Sequence, residues 1–311
     1  EAEKYGAYPT TDGFNDIEYL KQEGKMPMPV TQANPYVDAF WNWWPNLYTD
    51  LHTFRITGGE PLMSQDTWKV LDYILEHPNP NKNLNLAINS NLGVPDKLVD
   101  RFIEKVQKIC EEDRVKEFVI FTSVDSWGAQ AEYIRNGLEF NRFWDNCHKV
   151  LEKCPKVILT YMVTYNALSV PNYDKLIRGV YDLKTQYGSD DRYWNSATFL
   201  DTSYLRHPTH QTVQVLEPHW AEKIYQDAQL VDFLGVPLFE KEYIGYSDVE
   251  IQKLKRTFDW MKSPIPEKQL ETQRRNFGYY FRAHDERRGT DFCATFPELE
   301  EFYRKCLEIK I

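Results

Sequence analysis

The chain has 311 residues, enough to bury a large core in one domain or in a domain with an appendage. Apolar residues make up 42%, charged residues 27% and aromatic residues 15%, which argues against a disordered chain. Lys and Arg number 37 against 47 Asp and Glu, and the net charge of -10 argues against a nonspecific nucleic-acid or anionic-membrane binder.

Apolar runs and cysteines narrow the class further. No uninterrupted apolar run is long enough to cross a bilayer, and no signal peptide is visible. Five scattered cysteines favour buried thiols in a reducing cytosol over a disulfide framework. They are Cys110, Cys147, Cys154, Cys293 and Cys306. We therefore expect a cytoplasmic protein with no nucleic-acid or membrane partner.

Residues 1–50 are expected to form a loop-rich segment followed by a Trp-rich helix. Residues 1–35 are polar and rich in turn formers. Pro35 suits a helix start, and apolar side chains then recur at helical spacing. These are Phe40, Trp41, Trp43, Trp44 and Leu47. Such a cluster could stack on a planar ligand, but a core face is the more common use of indole rings.

Residues 51–208 alternate between two kinds of segment. Runs rich in apolar and β-branched residues cover 51–56, 84–88, 117–122, 157–163 and 197–200. Amphipathic, helix-like segments separate these runs, so the pattern repeats about every 35 residues and predicts βαβ units with a parallel sheet. Because such crossovers share one hand, we expect all strand C-termini at one rim.

Small polar residues follow every predicted strand. In chain order they are Gly58-Gly59-Glu60-Pro61, Asn89-Ser90-Asn91, Ser123-Val124-Asp125-Ser126, Thr164-Tyr165-Asn166 and Asp201-Thr202-Ser203. Asn, Asp and Ser each favour turns and helix caps, which explains any one of these segments alone. All five at one rim indicate a single polar ligand held over the sheet.

The first of these turns is the most distinctive. Adjacent glycines tolerate positive φ and let a backbone approach another group closely, while Pro61 makes the turn rigid. Glu60 ends a predicted strand, where open α/β sheets and β/α barrels place their ligands. The alternative is a tight strand-to-helix turn that needs glycine for its geometry alone.

Residues 209–311 are expected to form a mainly helical extension. Helices are predicted near 218–233, 248–262 and 268–284. The last helix is signalled by Thr295-Phe296-Pro297-Glu298, which fits a capping box. Its apolar stripe is Phe296, Leu299, Phe302, Tyr303 and Cys306.

The Gly-Gly-Glu-Pro turn, the Asn-Ser-Asn and Ser-Val-Asp turns, and Arg135 in Tyr-Ile-Arg-Asn-Gly resemble the radical S-adenosylmethionine (SAM) superfamily. The chain is similar to twitch-domain-containing radical SAM proteins over nearly all of 36–311, including its C-terminal charged and Thr-Phe-Pro-Glu segments. The resemblance implies a partial (β/α)6 TIM-like barrel over 51–208, open on one side.

The resemblance also implies a SAM site at the rim. Glu60 and the backbone of Gly58 and Gly59 would accept hydrogen bonds from the methionyl ammonium, because an ammonium needs acceptors. Asn89 and Asn91 would belong to the same site or only cap the second turn.

Three further residues would complete this implied site. Ser123 and Asp125 would face the ribose or the carboxylate of SAM. Arg135 would pair with the carboxylate, which matches the planar guanidinium fork.

The superfamily also binds a 4Fe-4S cluster through a Cys-x3-Cys-x2-Cys segment before the Gly-Gly-Glu-Pro turn, and this chain departs from that pattern. No cysteine precedes Cys110, although cluster ligation needs thiolates at short fixed separations. We expect the ligands upstream of Glu1, since the opening Glu-Ala-Glu-Lys-Tyr is typical of the middle of a charged helix. The alternative is a relative that has lost the cluster.

The implied function is radical chemistry. An electron donor such as a flavodoxin or ferredoxin would reduce the cluster. The reduced cluster would cleave SAM to a 5′-deoxyadenosyl radical that abstracts hydrogen from an unknown substrate. The 311 residues alone are expected to be inactive. One alternative is a non-catalytic SAM- or nucleotide-binding or interaction module. Another is a hydrolase with Glu60 and Asp125 as paired carboxylates, which is less favoured because Glu60 is wedged between Gly-Gly and Pro.

Overall fold

A five-stranded parallel sheet forms the centre of the protein. The computed structural model describes residues 2–10, 17–26, 33–188, 197–235 and 245–310, so residues 11–16 and 27–32 of the predicted loop-rich segment lie outside it. The strands are β1 (Thr53–Ile56), β2 (Asn85–Asn89), β3 (Glu117–Ser123), β4 (Ile158–Tyr165) and β5 (Thr198–Tyr204). Each overlaps a predicted run, and the α/β class with a parallel sheet is confirmed.

Helices precede, connect and follow the strands. They are α1 (Ala2–Tyr5), α2 (Ile17–Gln22), α3 (Pro35–Asp50), α4 (Gln65–Glu76), α5 (Asp96–Glu111), α6 (Gly128–Ile134), α7 (Phe140–Lys153), α8 (Tyr173–Tyr187), α9 (Trp220–Phe233), α10 (Asp248–Lys262), α11 (Glu267–Arg288), α12 (Phe292–Thr295) and α13 (Glu300–Glu308). Within the described ranges, no helix combines the length and apolar character that a membrane span requires.

Neighbouring strands in the sheet are also neighbours in sequence, in the order β1-β2-β3-β4-β5. Helices α3, α5, α7 and α8 pack aromatic rings on one face of this sheet. The ring pairs are Trp44–Phe54, Phe102–Phe118, Trp144–Tyr161 and Tyr165–Tyr173. Along β3, buried side chains on that face alternate with half-buried ones on the other. The sheet therefore has one face covered by helices and one largely uncovered face, which we call the open face.

The outer edge of β5 is closed by a buried ion pair. The Lys184 ammonium lies 3.0 Å from the Glu250 carboxylate, and both side chains are at most 2% exposed. Lys184 Nζ donates to the Thr198 carbonyl at 2.7 Å, and the Leu200 N–H donates to Glu250 at 2.7 Å. These bonds occupy backbone groups of β5 that a further strand would need. Glu250 also belongs to the capping box that Ser247 opens at α10.

The structure corrects two local expectations. The capping box predicted at Thr295 is wrong, because Thr295 ends α12 and the Asp291 side chain caps that helix by accepting from Ala294 N at 3.0 Å. A separate helix, α6, was not predicted before Arg135. This helix is only 7 residues long and begins at Gly128. The φ of Gly128 is 57°, in the left-handed region that favours glycine.

Removing one partner of the Lys184–Glu250 pair should strongly destabilise the fold. In Lys184→Met the Glu250 carboxylate stays buried without its counter-charge, and the expected loss of unfolding free energy is about 3–5 kcal/mol. Urea denaturation measures this loss. The matched control is Lys108→Met, since Lys108 pairs with Glu104 at the surface and its loss should be barely measurable. Equal effects in both variants would contradict the structural role of the buried pair.

Candidate functional site

The Glu60 carboxylate ties the turn after β1 to the turn after β2. Its Oε1 accepts hydrogen bonds from the Leu62 N–H at 3.1 Å and the Ser90 hydroxyl at 2.8 Å. Its Oε2 accepts the Asn91 N–H at 2.8 Å. Both carboxylate oxygens thus bind protein donors, so Glu60 fixes the relative position of two strand tips.

Gly58 and Gly59 present bare backbone to solvent. Gly58 needs glycine for its φ of 113°, whereas Gly59 has no positive φ. A Cβ on either residue would meet no heavy atom within 4 Å. In the described part of the chain, no residue donates a hydrogen bond to the carbonyl oxygen of either glycine. Packing within the protein therefore gives no reason for glycine at position 59.

A groove of about 600 Å³ runs along this turn and the outer side of β1. Its lining is Phe40, Phe54, Arg55, Ile56, Thr57, Gly58, Gly59, Glu60, Pro61, Met63, Ser64, Asp66, Thr67 and Val70. Of the predicted site residues, only the two glycines and Glu60 line this groove. Arg55 also contacts the open face, so the groove and that face adjoin at β1.

Asn89 lies on the open face and holds Arg55. Its Oδ1 accepts a hydrogen bond from Arg55 Nε at 2.8 Å. The Arg55 guanidinium carbon lies 3.9 Å from the centre of the Phe121 ring, a cation–π contact. Arg55 Nη2 lies 3.4 Å from Met162 Sδ. Four strands thus contribute side chains to one cluster on the open face.

Asp125 and Arg135 pair with each other. Arg135 Nε lies 2.8 Å from Asp125 Oδ2, and the Thr164 N–H donates to Asp125 Oδ1 at 2.7 Å. Asp125 is only 4% exposed. Burial raises the pKa of its carboxyl, while the charge of Arg135 and the Thr164 N–H oppose that rise. Asp125 therefore joins the tips of β3 and β4.

The remaining predicted residues lie in different local environments. The Asn91 side chain accepts the Gly93 N–H at 2.8 Å and so caps its own turn. Ser123 ends β3 on the open face, in register with Met162. The prediction that Asp201-Thr202-Ser203 follow the fifth strand is wrong, because β5 continues to Tyr204. Asp201 lies in the middle of β5 and pairs with Lys253 of α10.

The cysteines do not suit a metal cluster. Four of the five are buried, and Cys293 is half-buried. Burial raises the pKa of Cys110 to about 11 and the pKa values of Cys147 and Cys306 to about 12, so these thiols stay protonated near neutral pH. Across the described residues, no group of three or more His, Cys, Asp or Glu side chains is placed to hold a metal ion.

Comparisons with known proteins assign no family to this geometry. The chain matched no protein-family model, no curated protein and no solved structure.

The structure adds Arg55, Ser90 and Met162 to the candidate site. The alternation in Thr-Phe-Arg-Ile carried a signal for Arg55, because Phe54 and Ile56 face the helices and Arg55 must face the other way. Ser90 lies within the predicted second turn, but its bond to Glu60 spans 30 residues. No local pattern indicates such a pairing.

Replacing Glu60 with Gln should loosen the two tips. A Gln side chain has one acceptor oxygen and one NH2 donor, so a donor would face Ser90 or Asn91, and we expect a loss of about 1–3 kcal/mol in unfolding free energy. Urea denaturation of Glu60→Gln provides the measurement. Glu104→Gln is the control, because Glu104 forms only an exposed pair with Lys108. A Glu60→Gln variant as stable as this control would refute the tie.

Replacing Arg135 with Met should destabilise the protein more at pH 8 than at pH 5. Loss of the cation raises the folded-state pKa of Asp125 further above its unfolded value, so the folded state retains a proton that the unfolded state releases. Stability is then highest at low pH and is lost as pH rises through the folded pKa. We expect a penalty of about 3–5 kcal/mol at pH 8.

Guanidinium denaturation at the two pH values tests this prediction. Arg304→Met is the control, since Arg304 pairs with Glu300 at the surface, and its effect should not depend on pH. A penalty for Arg135→Met that is the same at both pH values would show that Asp125 stays ionised without its partner.

Proposed function

We propose that this chain binds SAM at the carboxyl rim of its sheet and belongs to a radical SAM enzyme. The observation that carries the proposal is Gly59. It lies in a glycine turn at the tip of β1, beside a groove, with no conformational or packing need for glycine. Close approach of a ligand to the backbone accounts for such a residue.

We further propose that the sheet is an arc of a partial (β/α)6 barrel. Consecutive strand order with helices on one face supports this arrangement, since doubly wound sheets reverse their order and carry helices on both faces. The contact between Arg55 and Met162 also supports it. In a flat sheet, β1 and β4 would lie about 14 Å apart, and curvature towards the open face shortens that separation.

In the proposed complex, both backbone carbonyls and side chains bind SAM. Glu60 holds the turn, and the carbonyl oxygens of Gly58 and Gly59 accept the ammonium of SAM. Ser123 offers a hydroxyl to the ribose or carboxylate, and Asp125 positions Arg135 nearby. Each role matches the donors and acceptors that the group presents.

A 4Fe-4S cluster does not fit the cysteines of this chain. The burial of Cys110, Cys147 and Cys306 and the raised pKa values of their thiols oppose ligation. The radical reaction proposed for the enzyme, hydrogen abstraction from a substrate after SAM cleavage, thus requires cluster ligands from outside these 311 residues.

The same observation favours a second candidate, a SAM- or nucleotide-binding module that performs no radical chemistry. Sequencing the gene upstream of Glu1 separates the two candidates. A Cys-x3-Cys-x2-Cys segment in frame supports the enzyme. A stop codon followed by a start codon near Glu1 supports the binding module.

Isothermal titration calorimetry with SAM tests the shared part of both candidates. We expect saturable binding to the purified chain and at least about tenfold weaker binding to Gly59→Val, because the added side chain occupies the space beside the turn. Ala129→Val, an exposed change in α6, should bind as the unmodified chain does. Absence of SAM binding, or equal binding by Gly59→Val, would reject the proposed site.

A further inference from the structure

Arg55 occupies an unusual position for a charged residue. It lies in the middle of β1 with its side chain exposed on the open face, where its nearest neighbours come from β2, β3 and β4. Placing a guanidinium among sheet side chains costs solvation unless contacts compensate. Its location next to the glycine turn puts the charge at the proposed ligand site.

The contacts around Arg55 orient the guanidinium without neutralising it. Its partners are the Asn89 amide, the Phe121 ring and the Met162 thioether, all of which are uncharged. In the described part of the chain, no carboxylate forms an ion pair with Arg55, and no acceptor binds its Nη1 group. The planar fork is therefore fixed on one side and available on the other.

Two other cations near the rim differ in this respect. Arg135 is paired with the buried Asp125, and Lys253 is paired with Asp201. Their charges are already compensated by carboxylates. Among the described residues, Arg55 has neutral partners only, in a chain whose net charge is -10.

We propose that Arg55 is the anion receptor of the open face and binds a carboxylate or phosphate group of the ligand. A guanidinium held by its Nε and stacked on a ring is preorganised for two parallel hydrogen bonds to such a group. Ser123 and Thr164 add hydroxyl donors on the same face, at the same end of the sheet. The inference rests on the proposed function for its ligand site, and it assigns to Arg55 a contact that the sequence had suggested for Arg135.

NMR of the arginine Nε–Hε groups in the full chain tests this inference directly. The Arg55 signal is identified by its absence from Arg55→Lys, and the signal of Arg304 serves as an internal control. We expect sodium phosphate or sodium acetate to shift the Arg55 signal saturably, with little change at Arg304. The stronger of the two anions identifies the class of group that is bound. An Arg55 signal that responds no more than Arg304 to either anion would overturn the inference.

Variants give an independent readout. The affinity for the stronger anion should fall about tenfold or more in Arg55→Lys, because Lys keeps the charge and loses the fork. Arg304→Lys should retain the affinity of the unmodified chain. Unchanged affinity in a folded Arg55→Lys, checked by its thermal melt, would overturn the inference. If Arg55→Lys fails to fold, triple-resonance assignment of the unmodified chain identifies the Arg55 signal, and its response to the two anions still decides.

The same variants separate this inference from the proposed function. Anion binding at Arg55 without SAM binding would leave the receptor in place and reject the SAM site. SAM binding with no anion response at Arg55 would support the SAM site and reject the anion receptor. If both hold, weaker SAM binding by Arg55→Lys identifies the SAM carboxylate as the anion, and unchanged SAM binding assigns Arg55 to a second, anionic substrate.

Discussion

The handedness of the βαβ crossovers is the constraint on which this structure depends. Each crossover is right-handed as a rule, and each new strand here adds on the same side of the last, so successive helices are directed to the same face. The aromatic contacts of α3, α5, α7 and α8 cover that face. The opposite face carries a mixture of apolar and polar side chains, and the carboxyl ends of all strands meet at one rim.

The carboxylates at the rim bind partners within the protein. Glu60 binds donors from two turns, and Asp125 binds Arg135 and a backbone N–H of the next strand. Such bonds to charged groups are the stronger class of hydrogen bond in proteins. They hold neighbouring tips in register, so that the glycine carbonyls and Arg55 keep a fixed geometry. A paired-carboxylate hydrolase is correspondingly disfavoured, since neither acid is free.

Sequence periodicity was sufficient to predict the sheet and the main helices, because buried strands and amphipathic helices have strong, distinct periods. Pairings between distant residues were not accessible, because nothing near Glu60 indicates Ser90 and nothing near Arg55 indicates Asn89 or Met162. Local signals also competed. Thr295 and Glu298 fit a capping box, yet Asp291 caps a helix that begins earlier. Helix α6 was not predicted, because it is short and begins at a glycine.

The two edges of the sheet, at β1 and β5, differ in what covers their outer backbone groups. At β5, Lys184 and Glu250 occupy outward backbone groups with charged side chains, so an additional strand would have to break a buried ion pair. At β1, the terminal strand of the sheet as described, a groove replaces any such barrier. Among the described residues, no ion pair of this kind covers the outer edge of β1, and a segment placed along that edge would lie directly against the glycine turn.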